Sequence, residues 1–332
     1  MIARLLILSD VHYAGPLEQQ RTRYEARSVD NPLARILLSA YRRYVWLRDP
    51  LSHNHLLPAL CDQAGEVDKV VANGDFSCDT AFVGVIDAAA RQSAEMSLGY
   101  LRQRYQEKFH AVMGDHELGK KSLGGGKGGL RIESLRTATD ILGIAQAWSF
   151  NIGLWRLVGV ASSVLALPVL QPETLESEWA EWQAARQKHF TEIRAIFDSI
   201  KPGERVLLFC HDPTALPFLI EEPSVAAKMH QLERTIIGHL HTPAVFGLAK
   251  RLAGMPRIDF LGTTPKRLSS ALRKAKDWEP FRVVLCPSPP GIQLLKDGGF
   301  LTVRLNSESP APLDFQRHRL SWRKTEHDTD AR

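Results

Sequence analysis

The sequence predicts an α/β fold, and three observations carry the prediction. Short, mostly apolar runs at Leu5–Leu8, Val67–Ala72, His110–Met113, Val206–Cys210 and Arg234–Ile237 read as strands buried on both faces. Parallel sheets covered by helices have near-continuous runs of this kind in place of alternation. Longer stretches of helical periodicity separate them. Each run also stops at a polar cluster containing Asp or His, at the strand ends where open α/β sheets gather functional side chains.

Composition agrees with this class. A chain of 332 residues is long enough for a large buried core. With 44% hydrophobic and 24% charged residues it belongs among soluble globular proteins. A net charge of +5 and a pI of about 9.0 fit an anionic partner: phosphate ester, nucleotide, acidic lipid or nucleic acid. Cys61, Cys78, Cys210 and Cys286 form no CxxC pair and no zinc-finger spacing, and scattered free thiols suit a reducing compartment. Met1–Ser9 is too short for a signal peptide, and no apolar run approaches the ~18 residues of a membrane span. The expectation is a cytoplasmic protein, with peripheral contact to the inner membrane left open.

In order, Leu5–Leu8 is the first strand, and Asp10 and His12 follow it two apart, on one side of a strand-like continuation. Gly15–Asp30 reads as an arginine-rich loop. Pro32 then opens a helix to about Arg48 whose apolar face holds Leu33, Ile36, Leu37, Ala40, Tyr41, Tyr44 and Val45. Arg35, Ser39 and Arg42 fall on the opposite stripe, with Arg43 beside them. Such a helix either packs on the core with a solvated arginine face or lies against lipid. A helix at Leu56–Ala64 leads to the second strand and Asn73-Gly74-Asp75, with Asp79 beyond. Val83–Lys108 is a long helical pattern before the third strand and Gly114-Asp115-His116-Glu117. Lys120–Gly129 is a glycine-rich loop without the Lys-Ser/Thr ending of a nucleotide-binding loop, and Lys127 is its candidate contact to an anionic substrate.

Phe150–Ala161 reads as paired strands, and Pro172–Ser199 as a charged helix whose Trp179 and Trp182 belong to the core. His211 follows the fourth strand, and Gly238-His239-Leu240-His241 the fifth. Strands are expected at Arg257–Leu261, Phe281–Cys286, Gly299–Leu305 and Asp314–Trp322, and a basic helix at Pro265–Trp278. The lysines and arginines of that helix read as a solvated face, so nucleic acid is not the expected partner. No repeat and no Pro/Gly/Ser linker divides the chain. One domain over 1–323, with a helical insertion at about 16–60 and a disordered tail at 324–332, is the simplest organisation.

The ordered set Asp10-x-His12, Gly74-Asp75, Gly114-Asp115-His116-Glu117, His211 and Gly238-His239-x-His241 resembles the calcineurin-like metallophosphoesterase family. That resemblance implies a four-layer α/β/β/α sandwich with a dinuclear metal site at the strand carboxyl ends. It implies that Asp10, His12 and His241 hold one divalent ion, that Asp115, His211 and His239 hold the other, and that Asp75 bridges them. Mn²⁺ is the first expectation, with Fe, Zn²⁺ or Mg²⁺ as alternatives, since mixed oxygen and nitrogen ligands suit all of them. Two such ions clamp a phosphoryl centre and activate water. His116 stands beside them as proton donor to the leaving oxygen or as a cation at the transition state. One departure is that Asp115 occupies a position where the family usually has asparagine, which adds charge and removes an amide donor at the second metal.

The implied reaction is hydrolysis of a phosphodiester or pyrophosphate bond. The arginine- and aromatic-rich insertion, with Arg42 and Arg43 as candidate substrate contacts, fits a lipid-bearing substrate with an anionic head. Within the family, the UDP-2,3-diacylglucosamine pyrophosphatases of lipid A synthesis look like that. A cyclic-nucleotide or other small-molecule phosphodiesterase, and a non-catalytic binding protein on the same fold, are the alternatives.

Overall fold

The computed structural model describes residues 2–123, 126–258, 263–309 and 313–321. Strands β1 (Ile2–Leu8), β2 (Lys69–Asn73) and β3 (Phe109–Val112) run parallel. β4 (Ala147–Ile152) and β5 (Trp155–Val160) form a hairpin, followed by β6 (Arg205–Cys210), β7 (Leu232–Ile237) and β8 (Val283–Leu285), which continue parallel to β5. β9 (Gly299–Asn306) returns antiparallel to β1, and β10 (Asp314–Arg319) pairs with β9. The result is two five-stranded sheets, ordered β10-β9-β1-β2-β3 and β4-β5-β6-β7-β8.

The aliphatic runs of the sequence explain the layering. Along β1, Leu5 and Ile7 join Val71 and Val112 of the same sheet and Leu157, Leu207, Phe209 and Ile236 of the other, so the two sheets pack face to face. Leu6 and Leu8 belong instead to the outer core, together with Leu57, Leu60, Leu98 and Leu101. These last come from helices α2 (Leu56–Ala64) and α3 (Ala88–Tyr105). Val206 and Leu208 share that outer core with Trp182, Ile193 and Phe197 of α4 (Trp179–Asp198). With both faces of each sheet buried, no strand residue between Leu5 and Leu8 needs to be polar. The α/β/β/α sandwich expected from the sequence is therefore observed.

Several elements differ in extent. Gly15–Asp30 holds two short helices, Pro16–Gln19 and Tyr24–Ser28, where a loop was expected. The long helix begins only at Ala88, because the Asp87 carboxylate caps it by accepting the N–H groups of Ala89 and Ala90. The charged helix starts at Trp179, with Trp182 buried and Trp179 half-buried as core residues. The basic helix spans Thr263–Arg273 (α6, after α5 at Pro243–Arg251), and residues 275–281 form a 3₁₀ segment. Arg257 and Ile258 are irregular, and the rest of the strand expected at Arg257–Leu261 lies outside the described residues, as do Gly124, Gly125, Trp322 and the 324–332 tail.

The packing of the helix after Pro32, which the sequence leaves open between core and lipid, is settled on one side. The helix forms at Pro32–Tyr44 (α1), capped by the Asn31 side chain, but none of its residues is buried. Its apolar stripe faces out, not onto the core. Arg35 donates to the carbonyl of Val29, and Arg42 pairs with the Glu25 carboxylate, so the polar stripe is the one held against the chain. Specific partners for two guanidinium groups fix which way the helix is turned.

Candidate metal centre

All seven metal ligands expected from the sequence meet at the carboxyl ends of β1, β2, β3, β6 and β7. Ligating atoms of Asp10, His12, Asp75 and His241 lie within 4.8 Å of one another, as do those of Asp115, His211 and His239, and those of Asp75, Asp115 and His116. The first two sets contain the residues expected around each ion, and the third joins Asp75 and Asp115 to His116, which was expected beside the metals.

Local backbone geometry makes this possible. Asp10, His12, Asp75, His239 and His241 all adopt the left-handed region, with φ between 45° and 60°. Non-glycine residues rarely rest there, and such strain persists where the surroundings over-determine it, commonly at functional sites. Asp10 and His12 thus do not continue β1 as a strand. The chain turns at each, and the N–H groups of Asp10 and His12 donate to the carbonyls of Gly74 and Asp75. Gly74, at φ 91°, has no room for a Cβ, which would lie 2.6 Å from His211 Nδ1 and 2.7 Å from Gly114 Cα. A Cβ on Gly238 would strike Ser9 and Asp10 in the same way.

The imidazoles are oriented by contacts behind them. His211 Nδ1 donates to the Asn73 carbonyl at 2.5 Å, leaving the Nε2 lone pair toward Asp115 Oδ1 at 3.2 Å and Asp75 Oδ2 at 3.3 Å. His12 Nδ1 lies 3.3 Å from the Ser77 carbonyl, so its Nε2 faces His241 Nε2 at 3.3 Å. Asp10 is fully buried; its carboxylate accepts the His239 N–H and lies 3.3 Å from His241 Nε2. Asp75 Oδ1 accepts the His116 N–H at 3.0 Å, while its buried Oδ2 has no hydrogen-bond partner. A buried carboxylate oxygen that accepts no hydrogen bond, with three imidazole nitrogens 3.3–3.9 Å away, is costly unless cations sit among them. The donor set therefore fits two divalent ions bridged by Asp75.

Residues around the ligands complete the centre. Glu117 is buried and accepts the N–H groups of Gly114, Asp75 and Phe76, locking the β2 and β3 ends together. Burial pushes its carboxyl up to about 7, and those donors hold the charged form against it. His116 lies with its ring 4.6 Å from that of His12, and burial pushes it down to about 3. A neutral imidazole donates a hydrogen bond, whereas passing a proton to a leaving oxygen needs the imidazolium form, which an anionic group bound beside it would favour. Asp79 stands outside the cluster, its Oδ1 accepting the N–H groups of Val83 and Gly84.

Lys120 was not among the residues expected from the sequence. Its Nζ lies 2.9 Å from Asp115 Oδ2, while Asp115 Oδ1 faces His211 and His239. Burial alone would raise Asp115, yet Lys120 and the two imidazoles hold it well below the usual carboxylate range. The charge gained by having aspartate in place of asparagine is thus met by a neighbouring ammonium. The only sequence signal is a lysine just past the one-turn helix Asp115–Leu118.

Two cavities adjoin the centre, and both are lined by His239, Lys120 and Arg267. One, of about 200 Å³, is walled by Leu240, Leu248, Leu252, Leu272 and Trp278 and reaches Asp115. The other, of about 270 Å³, reaches His12, His116 and His241 and is walled by Tyr24, Tyr41, Trp46 and Phe82, with Arg42 and Lys121. Trp46 lies 5.3 Å from the His241 ring. Of the three expected substrate contacts, Arg42 lines this second cavity. Arg43 instead sits over the Tyr44 ring, and Lys127 points to Asp30 and the Arg27 carbonyl.

No protein-family model and no curated protein matches the chain. Among solved structures, a dimetal phosphatase from Danio rerio is similar at 14% identity and a TM-score of 0.47, covering 96% of each chain. A metallophosphoesterase from Sphaerobacter thermophilus has 12% identity and a TM-score of 0.31, covering 96% of this chain and 89% of its own. Both scores fall below 0.5, and the assignment of the centre stands on its own side chains.

Proposed function

We propose that this protein is a metal-dependent phosphohydrolase that cleaves a phosphodiester or pyrophosphate bond. The observation that carries the reading is the buried Oδ2 of Asp75, which accepts no hydrogen bond and is set among imidazole nitrogens of the ligand groups. A pair of divalent ions there would neutralise phosphoryl oxygens and acidify a water molecule. The protein's own side chains do the rest. His116, against the centre, would protonate the departing oxygen from its imidazolium form, which an anionic phosphoryl group beside it favours. Lys120, paired with Asp115, and Arg267, paired with Glu173, line both cavities, and Glu117 keeps the β2 and β3 ends in register.

The finer reading is a substrate with both an apolar part and a nucleotide-like part. UDP-2,3-diacylglucosamine is the specific candidate, supported by the pairing of an aliphatic cavity with an aromatic and cationic one. The placement of Trp46 near His241, with Tyr41 stacked on Trp46, also favours a second reading, a soluble nucleotide diester stacked on those rings.

The test is hydrolysis by metal-stripped protein restored with Mn²⁺, Mg²⁺, Zn²⁺ or Fe²⁺ in turn. Substrates are bis-p-nitrophenyl phosphate, cyclic AMP and UDP-2,3-diacylglucosamine in detergent micelles. Metal-dependent turnover lost in His116→Ala is expected. Lipid cleavage far above the soluble diesters supports the finer reading, and turnover of soluble diesters alone removes it. Failure to bind metal or to hydrolyse any of the three sinks the phosphohydrolase reading.

A further inference from the structure

Helix α1 is amphipathic with its apolar stripe turned to solvent. Leu33, Ile36, Leu37 and Tyr44 are 66%, 64%, 63% and 64% exposed, and Ala40 is exposed between them. The spacing of three, four, seven and eleven puts all five on one side of the helix. Leu294, 63% exposed, and Leu295 adjoin the carboxyl end of α1, where the N–H groups of Leu294 and Gln293 donate to the carbonyls of Val45 and Trp46. A contiguous apolar face of this size on a water-soluble surface marks an interaction site.

Charge identifies the occupant. Between positions 21 and 48 lie Arg21, Arg23, Arg27, Arg35, Arg42, Arg43 and Arg48 against Glu25 and Asp30. Seven cations less two anions give +5, the net charge of the whole chain, and pairing of Arg21 with Asp87 outside the stretch leaves +4. An isologous contact between two copies of this face would bring two such segments together and repel. An anionic surface is attracted instead, and an outward apolar stripe within a cationic segment is the pattern of helices that lie in a bilayer interface.

We propose that α1, with the 292–296 turn beside it, docks the protein on an anionic phospholipid bilayer, its axis in the membrane plane and Leu33, Ile36, Leu37 and Tyr44 among the acyl chains. Tyr41, Arg42 and Trp46 wall the cavity that reaches His12 and His241, so docking holds one wall of that cavity beside the membrane surface. Among the described residues no helix is long and apolar enough to cross a membrane, and surface docking needs none. The inference stands whether or not the centre hydrolyses phosphate esters.

The experiment is co-sedimentation of the full chain with vesicles of phosphatidylcholine alone and of phosphatidylcholine mixed with phosphatidylglycerol. Binding to the mixed vesicles, much weaker binding to the neutral ones and release by salt are expected. The triple variant Leu33→Gln, Ile36→Gln, Leu37→Gln should partition at least about tenfold less. Its melting temperature and its turnover of bis-p-nitrophenyl phosphate should match those of the parent. The variant Arg23→Gln, Arg27→Gln, Arg48→Gln should lose the preference for phosphatidylglycerol. Wild-type protein that stays in the supernatant, or a triple leucine and isoleucine variant that binds as well as wild type, overturns the proposal. So does a wild-type dimer in solution that the triple variant converts to monomer, since a second copy would then cover the face.

Discussion

The two cavities share a floor and differ in their walls. Both reach Lys120, His239 and Arg267, yet one is walled by leucines and Trp278 and the other by Tyr24, Tyr41, Trp46 and Arg42. Aliphatic walls reward loss of water from a chain or ring without choosing its orientation. Aromatic and guanidinium walls reward a flat or charged group held at one angle. On the proposed function, a centre between such walls would divide recognition from chemistry: the shared floor would act on the phosphoryl group, and each wall would select one side of the ester.

Substitution of the bridging carboxylate buried behind the shared floor should abolish both halves at once. Asp75→Asn keeps the shape and removes the charge at the bridging position. Hydrolysis of every substrate should fall on the order of 10³-fold, with metal content, read by elemental analysis, falling in parallel. A loss confined to one substrate would mean that the two cavities do not serve a common centre.

Lys120 is the next largest expected effect, about 10- to 100-fold in kcat for Lys120→Ala. Its loss leaves the Asp115 carboxylate facing the ligands with no counter-charge. Asp115→Asn added to that variant restores a neutral oxygen ligand with its own N–H donors, and most of the activity should return. A double variant no better than Lys120→Ala would place Lys120 on the substrate itself.

This pair also marks where reading the sequence succeeds and where it stops. Asp10, His12, Asp75, Asp115, His211, His239 and His241 were legible because each follows an aliphatic run, and strand ends in an α/β sheet converge. The left-handed turns that aim five of them were not legible, since Asp-x-His after a strand also fits plain continuation. Lys120 was hidden because its partner is fixed by the turn after Leu118, and the glycine-rich run drew the expectation to Lys127, which pairs with Asp30. For α1, periodicity located the helix and its two stripes to within a few residues. It could not say which stripe faces in, because that depends on the Val29 carbonyl and the Glu25 carboxylate supplied by the preceding turn.

The smallest effects should separate the two walls. Trp46→Ala removes a stacking face beside His241 and should raise KM about tenfold for a substrate with a nucleobase. It should leave bis-p-nitrophenyl phosphate within about twofold, because the shared floor is intact. Leu248→Gln with Leu252→Gln, both exposed enough to fold, puts polar groups into the aliphatic wall. KM should rise about fivefold for an acylated substrate and not for cyclic AMP. Kinetics on the two substrates with both variants form a square. Opposite corners should move if each wall holds its own side of the ester. If Trp46→Ala also weakens an acylated substrate lacking any base, the aromatic cavity takes the chain, and the leucine-lined one is an extension of the core beside it.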